Sequence, residues 1–461
     1  MSDIISIVAT GVWTPVLFLL ILGGVFFLFY SRFLPYKYFG HAIAILRGKY
    51  DDPNNPGQLS AYEALSTALA STVGMGNIAG VAAAISLGGP GALFWMWVTA
   101  FVGMSTNFFT STLSVMYRGK DSHGEIQGGP MYVIREALGK SWYPLAVLFC
   151  VCCTVGCLPI FQANQLTQII IDIGISSPEI KASSFLIAGV EINTAKFVIG
   201  TILMIISGIV IIGGIQRIGS WAGKMVPLMI VVYFVSVLLI LIIHIDKVPH
   251  YFVMIITDAF AAHHYKGEPL LGGIIGGLIV TGVRRASFSN EAGIGTAPMA
   301  LGASKSKEPI REGLVSMLSP AIDTLLVCSL TALAILVTDV WNTSGASGVS
   351  LTVTAFESSL GMTGKILLLI SAFFFAITSL FSYSYYGSKA VSFMFGVNAG
   401  KYYDYIYLST IIGGAVLSMR DVMNIIDVAY ALMAVPTMIS GLILAPKVMA
   451  EAKAYFKRMK L

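Results

Sequence analysis

The stretch Ser71-Thr72-Val73-Gly74-Met75-Gly76-Asn77-Ile78-Ala79-Gly80 sets two glycines and an asparagine midway along an otherwise apolar segment. Glycine weakens a helix interior by about 1 kcal/mol relative to alanine. Asparagine at membrane depth needs polar partners. A helix interrupted here frees amide N–H groups at the start of one piece and carbonyls at the end of the other. The first end attracts a carboxylate and the second a cation. The same small residues also suit a tight helix crossing. Packing alone does not account for Asn77, so a break is expected, with Thr72, Gly74, Gly76 and Asn77 as candidate binding residues.

A second interrupted stretch, Leu271 to Thr281, carries the pairs Gly272-Gly273 and Gly276-Gly277, ahead of Arg284 and Arg285. These glycines fit either a matching break, with Gly276 and Gly277 in the site, or close helix packing. Beyond lies Ser287 to Pro298, polar and glycine-bearing. It reads either as an inner half-helix with Glu291 pairing an arginine, or as a plain cytoplasmic loop. Asp323 sits in Ala321-Ile322-Asp323-Thr324-Leu325-Leu326, and a carboxylate in such a setting is a functional hypothesis by default. It fits a cation ligand, a proton carrier, a gate partner of Arg284 or Arg285, or an interfacial structural residue. After Pro159, Gln162, Asn164, Gln165 and Gln168 cluster, and Phe161, Gln165 and Gln168 share one face by helical spacing. Such amides either meet the amino group of a small zwitterion or join helices. Phe373, Phe374, Phe375, Tyr383 and Tyr385 fit core packing and the interfacial belt better than a pocket.

Other chemistries find little support. Cys150, Cys152, Cys153 and Cys157 share one apolar run with spacings that match no zinc or redox pattern, and they read as packing residues. No Ser–His, Cys–His or paired-Asp arrangement suggests an enzyme. Isolated polar points do not make the continuous lining of a channel.

The elements that must hold these residues are membrane helices. Of 461 residues, 56% are hydrophobic and 11% charged, against roughly 25% charged in soluble domains. No basic run suits nucleic acid. A span needs about 20 mostly apolar residues, and about eleven segments qualify: 12–31, 62–88, 91–117, 143–173, 195–214, 220–244, 268–284, 311–337, 362–391, 402–417 and 421–446. The first lacks the basic flank of a secretory signal and reads as a retained span. Lys and Arg concentrate in alternate loops, those carrying Arg32 to Lys49, Arg118 to Lys140, Arg284 to Arg311, and the tail from Lys447. Those loops are expected in the cytoplasm of a cell-membrane protein, with the N-terminus outside and the C-terminus inside.

This divides the chain into an extra N-terminal helix with its cytoplasmic linker (1–59), a five-helix set (60–245), an extracellular connection (246–267), a second five-helix set (268–446) and a basic tail (447–461). The two sets start on opposite sides of the membrane. Inverted repeats of this kind are a transporter architecture with the site near the midplane. The reading is an all-α polytopic transporter moving a small solute on ion gradients.

Thr72 to Gly80, Gly124 to Tyr132, Phe288 to Pro298 and Asp323-Thr324 resemble the alanine or glycine:cation symporter family, the Ser289-Asn290-Glu291-Ala292-Gly293 run most specifically. The resemblance implies sodium-coupled uptake of alanine or glycine on the leucine-transporter fold, with proton coupling through Asp323 as the alternative. In that fold the amides of the first broken helix hold the substrate carboxylate, and Asn77 assists a cation. Ala376-Ile377-Thr378-Ser379 resembles its eighth core helix, whose Thr-Ser pair ligates sodium, with the carbonyls of Ala70, Val73 and Phe375 completing the shell. Hard oxygen ligands suit such a cation. Back-bonding to the helix is the other use of Thr378 and Ser379.

Overall fold

The computed structural model describes residues 2–460 apart from 51, 53, 54, 176, 188, 189, 262–272 and 344. It is an all-helical bundle with two short hairpins, Gly119–Lys120 with Ile126–Gln127 and Ser184–Ile187 with Val190–Asn193. Among the described residues eight helices are long and apolar enough to cross a membrane, or nine if Ala61–Thr72 and Gly76–Gly88 form one bent span. Of the eleven expected spans, the seventh and tenth form helices, Gly273–Asn290 and Val397–Val416, but stand outside that set. The first carries Arg284, Arg285 and Asn290; the second carries Asn398, Lys401, Asp404 and four tyrosines.

Both helix breaks lie at the centre of the bundle. The first begins with a capping box, in which Ser60 N–H donates to Glu63 and Glu63 N–H to Ser60 Oγ, satisfying the free amides of that helix start. Its two halves bend by 48° around Val73 to Met75. The second differs from expectation. The backbone runs helical through Gly276 and Gly277, whose surroundings lie outside the described residues, and through Arg284 and Arg285 to Asn290. The interruption comes at Glu291 to Gly295, and Thr296–Leu301 then continues. Glu291, Gly293 and Gly295 all have positive φ. At Gly295 a Cβ would also press on Thr437, Phe149 and Pro130, so only glycine fits there.

Arg284 and Arg285 therefore lie within a helix rather than at its end. Arg284 pairs with Asp427, with Trp13 5.8 Å from its guanidinium. Asp427 precedes Tyr455 in the helix Met419–Met459 by 28 residues, roughly 40 Å along a helix axis. Tyr455 sits with His41 and Arg311, so the Arg284–Asp427 pair belongs to the opposite end of the molecule.

At the Tyr455 end, the start of the first broken helix and the end of the second meet in a seam. Gln58 N–H donates to Ala303 (2.8 Å) and Lys305 N–H to Leu59 (2.6 Å). Arg118 fastens it, donating to the carbonyls of Gly302 (2.9 Å), Ser304 (2.6 Å) and Ser306 (2.7 Å). Hydrogen bonds from a charged group contribute about 1.5–3 kcal/mol each. Arg118→Ala is expected to lower the melting temperature of the purified protein markedly, with Arg118→Lys recovering only part; a melting curve equal to wild type in both would show that the loop holds itself.

The helix Ser2–Tyr30 packs against Met419–Met459 and Gly91–Met116. The expected connection 246–267 contains the helix Val248–Asp258, where Asp258 accepts from Gly91 N–H (2.8 Å) and so caps the start of the earlier helix Gly91–Met116. Before the expected ninth span lies a helical segment the sequence reading left in a loop. Gly361, at φ 60°, separates Val349–Leu360 from the remainder of the helix to Phe395. Val349, Val353 and Phe356 are buried in it, and Thr352 Oγ1 donates to Ile78 O beside the first break (3.4 Å).

Candidate functional site

At the first break, two backbone amides leave the helical ladder. Gly74 N–H donates to Asn77 Oδ1 and Met75 N–H to Gln162 Oε1, each at 2.9 Å. In an unbroken helix these donors would serve the carbonyls of Ala70 and Ser71. Ser71 O instead faces Ser379 Oγ, which donates to it at 3.4 Å and to Phe375 O at 2.9 Å. Ala70 O loses its Gly74 donor likewise. Thr378 sits one residue earlier with its hydroxyl on Phe374 O (2.8 Å) and Phe375 O (3.2 Å), beside Met229 Sδ (3.5 Å).

Gly74 is required here by contact. A Cβ at this position would collide with Ser379 Oγ and lie 3.1 and 3.2 Å from the Gln162 amide atoms. Gly76 is looser, for its Cβ would stand 3.6 Å from Phe288 and 3.7 Å from Ser289. Thr72 spends its hydroxyl on Ala68 O (3.2 Å) within its own helix.

Asn77 joins this break to a helix 246 residues further on. Its Nδ2 donates to Asp323 Oδ1 (2.7 Å), to Asp323 O (3.2 Å) and to Cys328 Sγ (3.3 Å). Asp323 is fully buried, and its other oxygen accepts from Ser289 (2.7 Å) and Thr324 (2.8 Å). Asn290 Nδ2 donates to Thr324 Oγ1 (3.1 Å) and its Oδ1 accepts from Ala292 N–H (3.0 Å). The two breaks thus share one polar network around Asp323. That residue lies in a stretch wound with π-helical bonds, Ala321–Cys328. Such bulges recur at functional sites because they re-aim side chains.

Glu291 forms a second buried cluster with Tyr383 (2.5 Å), Tyr430 (2.9 Å) and Thr296. Phe288, just before it, packs edge-on against Phe161 at 4.9 Å between ring centres and lies 5.6 Å from Tyr430. The Phe288 ring stands beside Gly76.

The structure thus brings together Ala70, Val73, Gly74, Gly76, Asn77, Phe161, Asp323, Phe375 and Ser379. It does not bring Gln165 or Gln168 to the breaks. Gln165 donates to Asn164 Oδ1 (2.9 Å) and Gln168 to Asp172 (2.7 Å). Asn164 caps a helix end, donating to Gly414 O (3.0 Å) and Leu417 O (2.7 Å). Gln162 is the amide that faces the site, because Phe161 and Gln162 point to the breaks only in the first turn after Pro159. Neither Arg284 nor Arg285 reaches Asp323 or Glu291; burial drives Arg284 to Asp427 instead, and Glu291 takes hydroxyl partners. Ser289, Cys328 and Tyr430 belong to the site region and were not singled out from sequence; Ser289 lay in a motif that marked its neighbourhood.

Comparison with known proteins follows this geometry. Residues 1–461 match the model of the sodium:alanine symporter family. A sodium/alanine symporter, AgcS, of Methanococcus maripaludis is 36% identical over 98% of this chain and 97% of its own length. A probable sodium/glutamine symporter, GlnT, of Bacillus subtilis is 30% identical over all of this chain and 92% of its own. Among solved structures, MhsT in complex with L-phenylalanine superposes with a TM-score of 0.56 at 14% identity, covering 86% of this chain and 98% of that one. That likeness establishes the leucine-transporter-like helical fold expected from the resemblance. With a family model matched end to end and relatives alike over nearly their whole lengths, the chain belongs to the sodium:alanine symporter family, whose members are membrane carriers and not enzymes.

Proposed function

We propose that the protein is a sodium-coupled symporter of small neutral amino acids, alanine or glycine, acting by alternating access of two five-helix repeats of opposite topology. In this reading it sits in the cell membrane with its N-terminus outside and its C-terminus in the cytoplasm. The observation that carries the proposal is the opened ladder at Val73 to Met75. Its freed Ser71 carbonyl faces the Ser379 hydroxyl, while its freed amides are held by side-chain oxygens that a carboxylate can displace. The substrate carboxylate would take the place of Gln162 Oε1 on Met75 N–H, with the Gly74 and Gly76 region beside it. The Phe288 ring, backed by Phe161, stands beside Gly76 and favours a short side chain. Sodium would take the carbonyls of Ala70, Val73 and Phe375 with Thr378 and Ser379, all hard oxygen donors. The Arg284–Asp427 pair would close the outer end.

A proton in place of sodium is the other reading, through Asp323. There Asp323 accepts from Asn77, Ser289 and Thr324.

Sodium bridging the break to Ser379 would favour the conformation that holds substrate, and by linkage substrate would tighten sodium by the same factor. Thr378→Val with Ser379→Ala removes two hydroxyls at nearly constant shape. The sodium concentration for half-maximal alanine binding should rise at least tenfold, each factor of ten corresponding to about 1.4 kcal/mol of lost ligation. Saturating sodium should restore binding in part. An unchanged sodium dependence would move the cation to the Asn77–Asp323 network.

A further inference from the structure

Two carboxyl groups, Asp323 and Glu291, lie fully buried beside the two breaks, and their hydrogen-bond partners differ in a way that can be counted. A hydroxyl supplies one hydrogen, an ionised carboxylate none, and a protonated carboxyl one. Around Asp323 every contact has its own hydrogen: the Asn77 amide, the Ser289 hydroxyl and the Thr324 hydroxyl each donate. No hydrogen is left wanting, and the carboxylate accepts all three.

Glu291 is arranged otherwise. Its Oε1 touches the hydroxyls of Tyr383 (2.5 Å) and Tyr430 (2.9 Å), and those two hydroxyls touch each other at 2.9 Å. Its Oε2 touches Thr296 Oγ1. These are four oxygen–oxygen contacts with three hydroxyl hydrogens among them. With Glu291 ionised, one edge of the ring Oε1–Tyr383–Tyr430 has no hydrogen, and two oxygens face each other with lone pairs only. A proton on Glu291 supplies the fourth, and the ring then closes with each oxygen donating to the next.

The surroundings agree. No Lys, Arg or His of the described residues forms an ion pair with Glu291. The titratable groups near enough to sense its charge are Cys157 at the end of one helix, Tyr383 and Tyr386 on another, Tyr430 on a third, and Asp323. All of them are neutral or negative. A negative charge on Glu291, with no cation among the described residues paired to it, is strongly disfavoured in a buried site.

We propose that Glu291 is a proton-binding site, a neutral carboxylic acid whose proton closes the ring with Tyr383 and Tyr430 and fastens the inner half-helix Thr296–Leu301 to the helices carrying those tyrosines. This holds whichever amino acid is carried, so it stands or falls apart from the substrate assignment.

Infrared difference spectroscopy of the purified full-length carrier at neutral pH tests it, using hydrogen–deuterium exchange to identify the carbonyl stretch of a protonated carboxyl. That band is expected in the wild type, lost in Glu291→Gln and kept in Asp323→Asn. Should Glu291→Gln not fold, Tyr383→Phe with Tyr430→Phe gives a second reading. It removes the ring while keeping the acid, so the band should persist and move to higher frequency as its hydrogen bonds are lost. A band absent from the wild type, lost with Asp323→Asn instead, or unmoved by the two phenylalanines would overturn the assignment.

Discussion

Gly74→Ala is expected to abolish measurable alanine binding, while Gly76→Ala changes it by a few fold at most. The two glycines stand two residues apart in the same break, so composition treats them alike. Geometry does not. The added methyl at position 74 runs into Ser379 Oγ and the Gln162 amide, the hydroxyl nearest the freed carbonyls and the group on Met75 N–H. Overpacking of this kind costs about 1–3 kcal/mol, and the upper end alone corresponds to roughly a hundredfold in affinity. At position 76 the methyl meets Phe288 at ordinary contact distance. Calorimetric titration of the purified variants with alanine in saturating sodium measures the difference. Adding Ser379→Ala to Gly74→Ala should recover thermal stability, since it removes the colliding oxygen, without recovering sodium affinity. Equal and small losses at both glycines would take the substrate away from this break.

Asp323→Asn is expected to cut sodium-driven alanine uptake into proteoliposomes by more than about a hundredfold while the protein still inserts. The amide keeps one acceptor oxygen where the carboxylate offered two, so it no longer accepts from all three of Asn77, Ser289 and Thr324, and the hydroxyls on its NH2 side must turn their hydrogens elsewhere. An unsatisfied group at full burial costs about 1–3 kcal/mol, more when the missing partner was charged. The loss is larger in function than in folding, because the variant also removes a charge from a region where a cation must bind. Uptake should fall more than equilibrium alanine binding measured at saturating sodium. Wild-type uptake across sodium concentration and pH in the variant would leave Asp323 as a structural peg between two helices.

What could be read from sequence follows the range of the forces involved. The interruption at Gly74 to Asn77 was legible because both residue types are out of place inside a span, and the backbone bends there by 48°. The glycines of 272–277 gave a similar signal, yet the second helix breaks at 291–295. Glycine pairs serve packing as well as breaks, whereas positive φ at Glu291, Gly293 and Gly295 has no mark in a one-dimensional pattern. Helical spacing grouped Phe161, Gln165 and Gln168 but could not say which of them reaches the breaks; Phe161 does, with Gln162 beside it. The Asn77–Asp323 bond joins residues 246 apart, and the Arg284–Asp427 pair joins residues 143 apart. Such partnerships are decided by tertiary packing. The cationic pair Arg284-Arg285 read as a loop by the charge rule because the helix continues past it, a buried exception that the rule cannot anticipate.

The seam between Leu59 and Ser304 has a consequence for how many ways the interior can move. The first broken helix starts at the seam and runs to its bend; the second runs from its own bend down to the same seam. Two rods joined at one end and each hinged at the other form a closed linkage. Arg118, reaching from the end of a neighbouring helix, adds a third bar to it. Such a linkage has far fewer independent motions than two free rods, so tilting one inner half-helix carries the other with it. A hinge opened at Gly74 is then felt at Gly295 without any signal passing through the centre of the bundle. Symmetric access from one side would follow from the loop's hydrogen bonds as much as from the helices themselves.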